Sequence, residues 1–314
     1  MSRIITVGAA QLGPVQRADS RQNVVRRMLD LLRQAGEHGC TLVVFPELAL
    51  TTFFPRWWME SEEEIDSFFE RAMPSPETAP LFEGAARLGI GFYLGFAELE
   101  QRGPRRHRFN TSILVDRSGK LVGKYRKIHL PGHAEHEPDR PFQHLEKRYF
   151  EVGDLGFGVW RTMDANMGMC ICNDRRWPET YRVMGLQDVE MVLLGYNTPR
   201  HHPPAPEHDR LSDFHNQLSM QAGAYANATW VVGVAKCGVE EGCEMIGNSS
   251  IIAPTGEVIG QALTQGDELV VARCDLDIGR SYKATTFNFE RHRQPEQYGM
   301  IVERTGAVPP KAGR

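Results

Sequence analysis

The stretch Met-Gly-Met-Cys-Ile-Cys-Asn-Asp-Arg-Arg-Trp-Pro-Glu, residues 167–179, decides the fold that we expect for this chain. The apolar run 167–172 stops at Asn173, which is typical of a buried strand that ends in an exposed turn. Pro178 suits the first turn of a following helix. Open α/β sheets place reactive groups where a strand ends beneath a helix entrance. The pattern therefore predicts that Cys172 lies at a functional edge of a sheet.

Cys172 is the candidate nucleophile of this edge. A helix N-terminus and the neighbouring Arg175 and Arg176 would favour the thiolate form of its side chain. The alternative is that Cys170 and Cys172 are two small apolar residues of a strand, because most free cysteines are unreactive. That alternative alone does not explain why two arginines follow the thiol.

Composition and charge limit the class of protein. The chain has 314 residues, of which 41% are hydrophobic, so it can bury a large core in one large α/β domain or two small ones. A net charge of −4 without a basic stripe disfavours nucleic-acid binding and membrane contact. No apolar run approaches the roughly 20 residues that span a bilayer, and the N-terminus lacks the pattern of a signal peptide. With six sparse cysteines, we expect a reduced, cytoplasmic protein.

Strands alternate with helical patterns along the chain, which predicts an α/β fold. We expect strands at residues 4–10, 41–45, 91–98, 110–115, 120–124, 167–172, 188–194 and 229–235, and helices at 23–35, 63–73, 79–88, from 178 onward and at 214–228. Residues 131–153 lack periodicity and should form a long functional loop. The composition of residues 305–314 predicts a flexible tail.

A strand–turn–strand pattern occurs twice in the sequence. Residues 110–119, Asn-Thr-Ser-Ile-Leu-Val-Asp-Arg-Ser-Gly, are similar to residues 248–256, Asn-Ser-Ser-Ile-Ile-Ala-Pro-Thr-Gly. Gly123 and Gly260 follow these segments, each four residues later. We expect one unit used once in each half of a layered domain, with two unrelated hairpins of similar composition as the alternative.

Polar residues follow three of the apolar strands and could meet at one edge of the sheet. Glu47 follows the second strand, Cys172 ends the central one, and Asn197 and Thr198 follow the next. Lys127 lies in a polar segment after the first hairpin. Cysteine, glutamate and lysine supply the nucleophile, the proton acceptor and the cation that acyl transfer needs.

Histidines offer a second interpretation of the site. A Cys–His pair is commoner in thiol hydrolases, and His129, His144 and His215 leave that pairing open. The sequence has no His-Glu-x-x-His motif and no Cys-x-x-Cys pair. Its glycines also miss the dinucleotide fingerprint by one residue. We therefore expect neither a metal nor a cofactor.

Three short motifs, in order along the chain, resemble the nitrilase, or carbon–nitrogen hydrolase, superfamily. They are Phe-Pro-Glu at 45–47, Lys-Tyr-Arg-Lys-Ile-His-Leu at 124–130 and Cys-Asn-Asp-Arg-Arg-Trp-Pro-Glu at 172–179. Longer stretches at 45–57, 140–150 and 195–199 are similar to the branch that hydrolyses N-carbamoyl-D-amino acids. The similarity covers nearly the whole chain before the tail.

The resemblance implies a four-layer α-β-β-α sandwich over residues 1–304 and a homo-oligomer, dimer or tetramer, that packs through helices. It implies a triad of Cys172, Glu47 and Lys127, with Glu146 as an additional glutamate near the site. Further residues are implied as substrate contacts, His144, Asn173, Arg175, Arg176, Asn197 and Thr198, and as supporting residues, His129 and His215.

The activity that the resemblance implies is hydrolysis of N-carbamoyl-D-amino acids through a carbamoyl thioester on Cys172. Arg175 and Arg176 fit a small-molecule substrate with a free carboxylate, because a guanidinium group binds carboxylates bidentately; a surface salt bridge is the alternative. The preference for D configuration rests on the resemblance alone. We expect the segments 131–153 and 199–206 to form the walls of the side-chain pocket. The alternatives are a β-ureidopropionase, an aliphatic amidase or a catalytically silent binding protein of this fold.

Overall fold

Two six-stranded β-sheets form the framework of the protein in the computed structural model, which describes residues 2–140 and 142–311. In chain order the strands are β1 (Ile4–Gln11), β2 (Leu42–Val44), β3 (Gly91–Arg102), β4 (Arg105–Val115), β5 (Leu121–Arg126), β6 (Val159–Thr162), β7 (Ala165–Ile171), β8 (Met191–Tyr196), β9 (Trp230–Ala235), β10 (Cys237–Glu240), β11 (Cys243–Ile246), β12 (Ser250–Ile252), β13 (Val258–Gln261) and β14 (Glu268–Asp275). The helices are α1 (Arg21–Glu37), α2 (Glu62–Asp66), α3 (Ala79–Leu88), α4 (Glu146–Tyr149), α5 (Pro178–Gly185), α6 (Ser212–Asn227), α7 (Gly279–Ala284), α8 (Phe289–His292) and α9 (Gly299–Glu303).

The two sheets have the same internal plan. The first has the order β14-β1-β2-β3-β4-β5, and the second has β6-β7-β8-β9-β12-β13. In each, three parallel strands form the centre, and antiparallel strands flank them on both sides. The pairs β4–β5 and β12–β13 occupy equivalent positions, and each contains a register shift. This confirms the repeated strand–turn–strand unit that the sequence predicts.

The inner faces of the two sheets pack against each other. Val7 and Val44 of the first sheet belong to the same buried cluster as Met169 and Leu193 of the second. Fully burying an aliphatic side chain of this size contributes about 1.5–3 kcal/mol to stability. The contact between the sheets therefore forms much of the core.

Helices cover the outer faces. Ser20 caps α1 by accepting a hydrogen bond from the Asn23 backbone N–H. The buried face of α1 has helical spacing and packs with α3 on the first sheet. Helices α5 and α6 pack beside the second sheet, with Tyr181 and Met220 in its core. The order of layers is α-β-β-α, as expected.

Some predicted elements differ in length from those in the structure. The helix expected at 63–73 ends at Asp66, where the Ser67 hydroxyl donates to the Glu64 carbonyl and competes with the helical hydrogen bonds. Glu70 instead forms a β-bridge with Glu98. The strands expected at 91–98 and 110–115 are longer and form one hairpin. The strand expected at 188–194 begins three residues later and continues to Tyr196.

Residues 304–311, which follow α9, are exposed. Residues 305–311 form neither helix nor strand, and residues 312–314 of the expected tail lie outside the described residues, as does Pro141 of the long loop. Among the described residues, no helix has the length and apolar character needed to cross a membrane.

Candidate active site

The polar residues that follow β2, β5, β7 and β8 meet at one end of the two sheets. Glu47 lies between the sheets, and this position depends on two glycines. A Cβ atom on Gly95 of β3 would lie 2.7 Å from the Glu47 Cα, and one on Gly195 of β8 would lie 2.5 Å from its backbone nitrogen. Only residues without a side chain allow this close approach of three backbones.

Cys172 begins a single turn of 3₁₀ helix at the end of β7, not the last position of the strand. Its φ of 48° lies in the left-handed region, which costs roughly 1–2 kcal/mol for a residue other than glycine. Asp174 stabilises the turn, because its carboxylate accepts hydrogen bonds from the Ile171 backbone N–H at 3.0 Å and from the Tyr125 hydroxyl at 2.7 Å. Arg175 donates to the Cys172 carbonyl at 2.7 Å.

Lys127 lies between two buried carboxylates. Its Nζ is 2.8 Å from Glu47 Oε1 and 2.6 Å from Glu146 Oε2, and all three side chains are fully buried. Asn110 donates to Glu47 Oε1 at 2.8 Å, and the Asn197 backbone N–H donates to Glu47 Oε2 at 2.8 Å. Because every Glu47 oxygen has a donor, the carboxylate is fixed in one orientation next to the thiol.

Burial raises the pKa of Cys172, and the charge of Glu47 raises it further, although Lys127 and Arg175 act in the opposite direction. The expectation of a resting thiolate is therefore wrong, and the thiol is neutral until a base removes its proton. Burial and the charge of Glu47 outweigh the nearby cations, and α5 begins six residues after Cys172, beyond the single turn over which a helix dipole acts.

Electrostatics keep the cation of the site protonated. Burial alone would lower the pKa of Lys127, but Cys172 in its ionised form and the carboxylates of Glu146 and Glu47 raise it above its ordinary value. Burial would likewise raise the pKa of Glu146, which Lys127 and His144 hold below its ordinary value. The site therefore combines a neutral thiol, an ammonium group and carboxylates.

A cavity of about 340 Å³ opens above the thiol. Predicted site residues in its lining are His144, Cys172, Asn173, Arg176, Asn197, Thr198 and His215. Both expected wall segments contribute, through Pro131–His133 and Pro199–Pro204. Phe142, in the expected wall segment 131–153, also lines the cavity, as do Phe53, Arg56 and Met245, which no sequence pattern marked as site residues.

Comparison with known proteins identifies the family of this chain. A family model described as carbon-nitrogen hydrolase matches residues 6–284. The chain belongs to the carbon–nitrogen hydrolase family. It is thus a hydrolase of the nitrilase superfamily that acts on C–N bonds.

The relatives of this carbon–nitrogen hydrolase align with it over nearly its whole length. The chain is 30% identical to an N-carbamoylputrescine amidase of Solanum lycopersicum, with 99% of each chain covered. It is 28% identical to a citrullinase of Francisella tularensis, over 91% of this chain and 95% of that protein. A solved structure of a carbon–nitrogen hydrolase from Helicobacter pylori has a TM-score of 0.81 at 22% identity, over 96% of this chain and 99% of that one, which shows a shared fold.

The two adjacent arginines of the hydrolase have different environments. Arg176 is exposed in the lining of the cavity, and the charge of the adjacent Arg175 lowers its pKa to about 10. Arg175 is buried, donates to the Cys172 carbonyl and to Thr198 Oγ1, and lies over the Tyr196 ring. The two guanidinium groups therefore do not face the cavity together. Arg176 lines the cavity, and Arg175 does not.

The three histidines that could pair with the thiol have other partners or positions. His129 Nδ1 is 2.8 Å from Asp174 Oδ1, and its ring stacks on Trp177 outside the cavity lining. His144 Nε2 is 3.1 Å from Glu146 Oε1, and His215 lies in the cavity wall. Within the described part of the chain, the hydrogen-bond contact of Cys172 Sγ is the Asn197 carbonyl at 3.6 Å. This arrangement favours Glu47 over a histidine as the base.

The same site contains the one group of potential metal ligands found among the described residues. Ligand atoms of Glu47, Glu146 and Cys172 lie within 4.8 Å of one another. The Lys127 ammonium contacts both carboxylates, so it occupies the position that a metal ion would take. The donor set therefore fits an ammonium cation.

We expect prolonged dialysis against EDTA to leave hydrolysis unchanged, because Lys127 supplies the positive charge of the site. The measurement is ammonia release from a ureido substrate before and after dialysis, at matched protein concentration. Activity that disappears on dialysis and returns with zinc would contradict this expectation.

Proposed function

We propose that this hydrolase converts N-carbamoyl-D-amino acids to the D-amino acid, ammonia and carbon dioxide. The observation that carries the proposal is an arginine without an anionic partner beside the thiol. Among the described residues, no carboxylate forms a salt bridge with Arg176, whereas the cavity-lining Arg56 and Arg140 pair with Glu240 and Glu137. An anionic group of the substrate would complete the interaction.

The charge of the whole cavity lining supports an anionic substrate. The described lining residues include three arginines and six histidines, and none of them is an aspartate or a glutamate. The N-carbamoylputrescine named for several relatives carries an amine that is cationic at neutral pH. Such a substrate would find no carboxylate in this lining, whereas an N-carbamoyl amino acid presents the same ureido group together with a carboxylate.

The proposed reaction begins with proton transfer. Glu47 takes the proton of Cys172, and Sγ attacks the ureido carbonyl carbon to form a tetrahedral intermediate. Lys127 and backbone N–H donors stabilise the oxyanion, and a good donor contributes about 3–4 kcal/mol. Glu47 returns the proton to the departing ammonia, which leaves a carbamoyl thioester on Cys172.

Hydrolysis of the thioester completes the cycle. Glu47 activates a water molecule, whose oxygen attacks the thioester carbonyl and displaces the thiol. The carbamate product then loses carbon dioxide and leaves the free amino acid. Glu146 supports both steps through its contact with the Lys127 ammonium. In this scheme Asn173, Asn197, Thr198 and His144 contact the substrate in the cavity, and His215 supports its wall.

Two fixed points on the substrate lead to strong chiral selectivity. If the ureido carbonyl is held at Cys172 and the carboxylate at Arg176, the α-carbon can direct its side chain in only one of two directions. The apolar wall, which includes Phe53 and Phe142, accepts one of them. The D preference itself comes from the resemblance to the D-specific branch.

A panel of five substrates tests the proposal. N-carbamoyl-D-phenylalanine, its L enantiomer, its methyl ester, N-carbamoyl-β-alanine and N-carbamoylputrescine are incubated separately, and both ammonia and amine are measured. We expect the D acid to react fastest, and the ester and the amine far more slowly. Preference for the β-amino acid derivative would indicate a β-ureidopropionase, and preference for the amine would overturn the carboxylate argument. Equal rates for the enantiomers would contradict the two-point model.

Replacing Arg176 by glutamine should raise KM for N-carbamoyl-D-phenylalanine by roughly 10- to 100-fold, because a charge-assisted hydrogen bond is worth about 1.5–3 kcal/mol. The methyl ester of the same compound is the control, since its rate should change little. Steady-state kinetics of both compounds measure the difference. An equal loss for acid and ester would remove the carboxylate role from Arg176.

A further inference from the structure

A second buried ionic cluster lies beside the cavity, and it consists of Arg56, Lys236 and Glu240. Arg56 is 3% exposed, and the other two side chains are fully buried. Glu240 Oε1 is 2.7 Å from Arg56 Nη2, and Glu240 Oε2 is 2.8 Å from Lys236 Nζ. The mechanism described above makes no use of these residues.

Burying this ionic cluster costs free energy of folding. Two cations and one carboxylate leave a net charge of +1 in the interior, and burying such groups is often no more favourable than apolar packing. Glu240 is nevertheless fully satisfied, because it also accepts hydrogen bonds from the backbone N–H groups of Phe53 at 2.7 Å and Val15 at 3.1 Å. A fixed and costly arrangement of this kind suggests a role in holding geometry.

One side of the cluster connects to Glu47. Lys236 Nζ donates to the Thr51 carbonyl at 2.8 Å, and Thr51 lies on the segment that follows Glu47. The Lys236 backbone N–H donates to Asn197 Oδ1 at 3.3 Å. Asn197 in turn donates to Glu47 through its backbone N–H to Oε2 and through its side chain to the Glu47 carbonyl at 2.7 Å.

The other side of the cluster connects to Lys127. Arg56 donates a hydrogen bond to the Glu240 carbonyl at 2.6 Å, and this bond fixes the turn Phe54–Arg56. The carbonyls of this turn, at Pro55 and Arg56, accept hydrogen bonds from the backbone N–H groups of Leu145 at 2.8 Å and Gln143 at 2.9 Å. Glu146, the next residue along that segment, holds the Lys127 ammonium. The two glutamates beside Lys127 are therefore both tied to this cluster.

We propose that Lys236 and Glu240 are positioning residues that fix Glu47 next to the Cys172 thiol. Neither touches the reacting atoms: the Lys236 side chain acts through the Thr51 carbonyl on the segment after Glu47, and Glu240 acts through Lys236 and through the Phe53 backbone N–H on the same segment. This inference rests on the proposed role of Glu47 as general base, but it does not depend on the identity of the substrate.

The test compares Lys236→Met with Lys236→Gln. The methionine variant keeps the volume and leaves a neutral Arg56–Glu240 pair, whereas glutamine retains a donor for the Thr51 carbonyl. Misplacing a catalytic group from a distance can cost up to about 100-fold in rate. We expect kcat to fall about 10- to 100-fold in Lys236→Met with less than about a twofold change in KM, and we expect a smaller loss in Lys236→Gln.

A control for the loss of a cation comes from the opposite end of the strands. Arg3 pairs with Glu190 and Asp277, so Arg3→Met also removes one cation from a cluster with acidic partners.

The second readout is the rate at which iodoacetamide alkylates Cys172 across pH 6–10, which needs no carbamoyl substrate. The pH profile should change in both Lys236 variants and stay unchanged in Arg3→Met.

The outcomes separate the two proposals. An altered alkylation profile in the Lys236 variants supports positioning even if no carbamoyl amino acid is hydrolysed by the parent protein. Unchanged kcat and unchanged alkylation in a folded Lys236→Met or Lys236→Gln would overturn it. A change in KM alone, or an equal change in Arg3→Met, would also overturn it, because a general loss of rigidity would then explain the data.

Discussion

Replacing Cys172 by alanine is expected to abolish turnover and to leave the fold intact. Cys243 also lines the cavity, but Cys172 is the cysteine whose Sγ lies within 4.8 Å of carboxylate oxygens of Glu47 and Glu146, in a turn that Asp174 and Arg175 hold in position. Removing the nucleophile of a comparable hydrolase costs about 10⁶-fold in kcat. Alanine keeps a Cβ atom in the same left-handed conformation, so the backbone strain is unchanged. Ammonia release and circular dichroism of the purified variant measure the two effects.

Cys170 is the matched control for this experiment. It is fully buried on β7, two residues before Cys172, and burial raises the pKa of its thiol well above the ordinary value. Cys170→Ala should therefore lower stability modestly and retain most of the activity. If Cys170→Ala were inactive and Cys172→Ala active, the nucleophile would be the other thiol.

The sequence could predict which residues meet at the site because strand ends are recognisable. Apolar runs that stop at polar residues marked Glu47, Cys172 and Asn197, and parallel strands place their carboxyl ends at the same edge of a sheet. Lys127 lies after an antiparallel hairpin, and it was identified by its residue type and by the family motif. The repeated hairpin was visible because its turn residues and glycines recur at similar spacing.

The ionisation of the thiol could not be predicted in the same way. The sequence placed arginines next to Cys172 but did not reveal that the side chain is 2% exposed and that Glu47 lies close to it. The two arginines are adjacent in sequence, yet one turns into the protein and the other into the cavity. Which neighbour faces which way depends on the 3₁₀ turn, whose presence has no clear sequence signal.

Contacts between distant segments were also missed. Asn110 donates to Glu47 across 63 positions, and Lys236 lies 185 positions from its partner Thr51. One available signal was the pair of glycines in β3 and β8, Gly95 and Gly195, each of which interrupts an apolar strand. A glycine inside a strand often marks a site where another backbone approaches closely.

Replacing Glu47 by glutamine is expected to lower kcat by roughly 10²- to 10⁴-fold, with a much smaller change in KM. The proposed base moves a proton in both halves of the reaction, so its loss acts on each transition state rather than on substrate binding. Lys127→Met should also lower kcat by orders of magnitude, because it removes an oxyanion donor and leaves the buried carboxylates of Glu47 and Glu146 without the cation they share. Steady-state kinetics with N-carbamoyl-D-phenylalanine measure both variants.

Thr198→Ala provides the contrast for these two variants, since Thr198 lines the cavity and is proposed to bind substrate. Its effect should fall mainly on KM. Alkylation of Cys172 by iodoacetamide separates the roles further: Glu47→Gln should speed alkylation near neutral pH while turnover falls, because loss of the carboxylate charge lowers the pKa of the thiol but removes the base of the reaction. If Glu47→Gln changed KM alone, Glu47 would be a binding residue. The thiol, whose pKa is raised by burial, would then need another group to remove its proton, and His144, which already contacts Glu146, would be the next candidate.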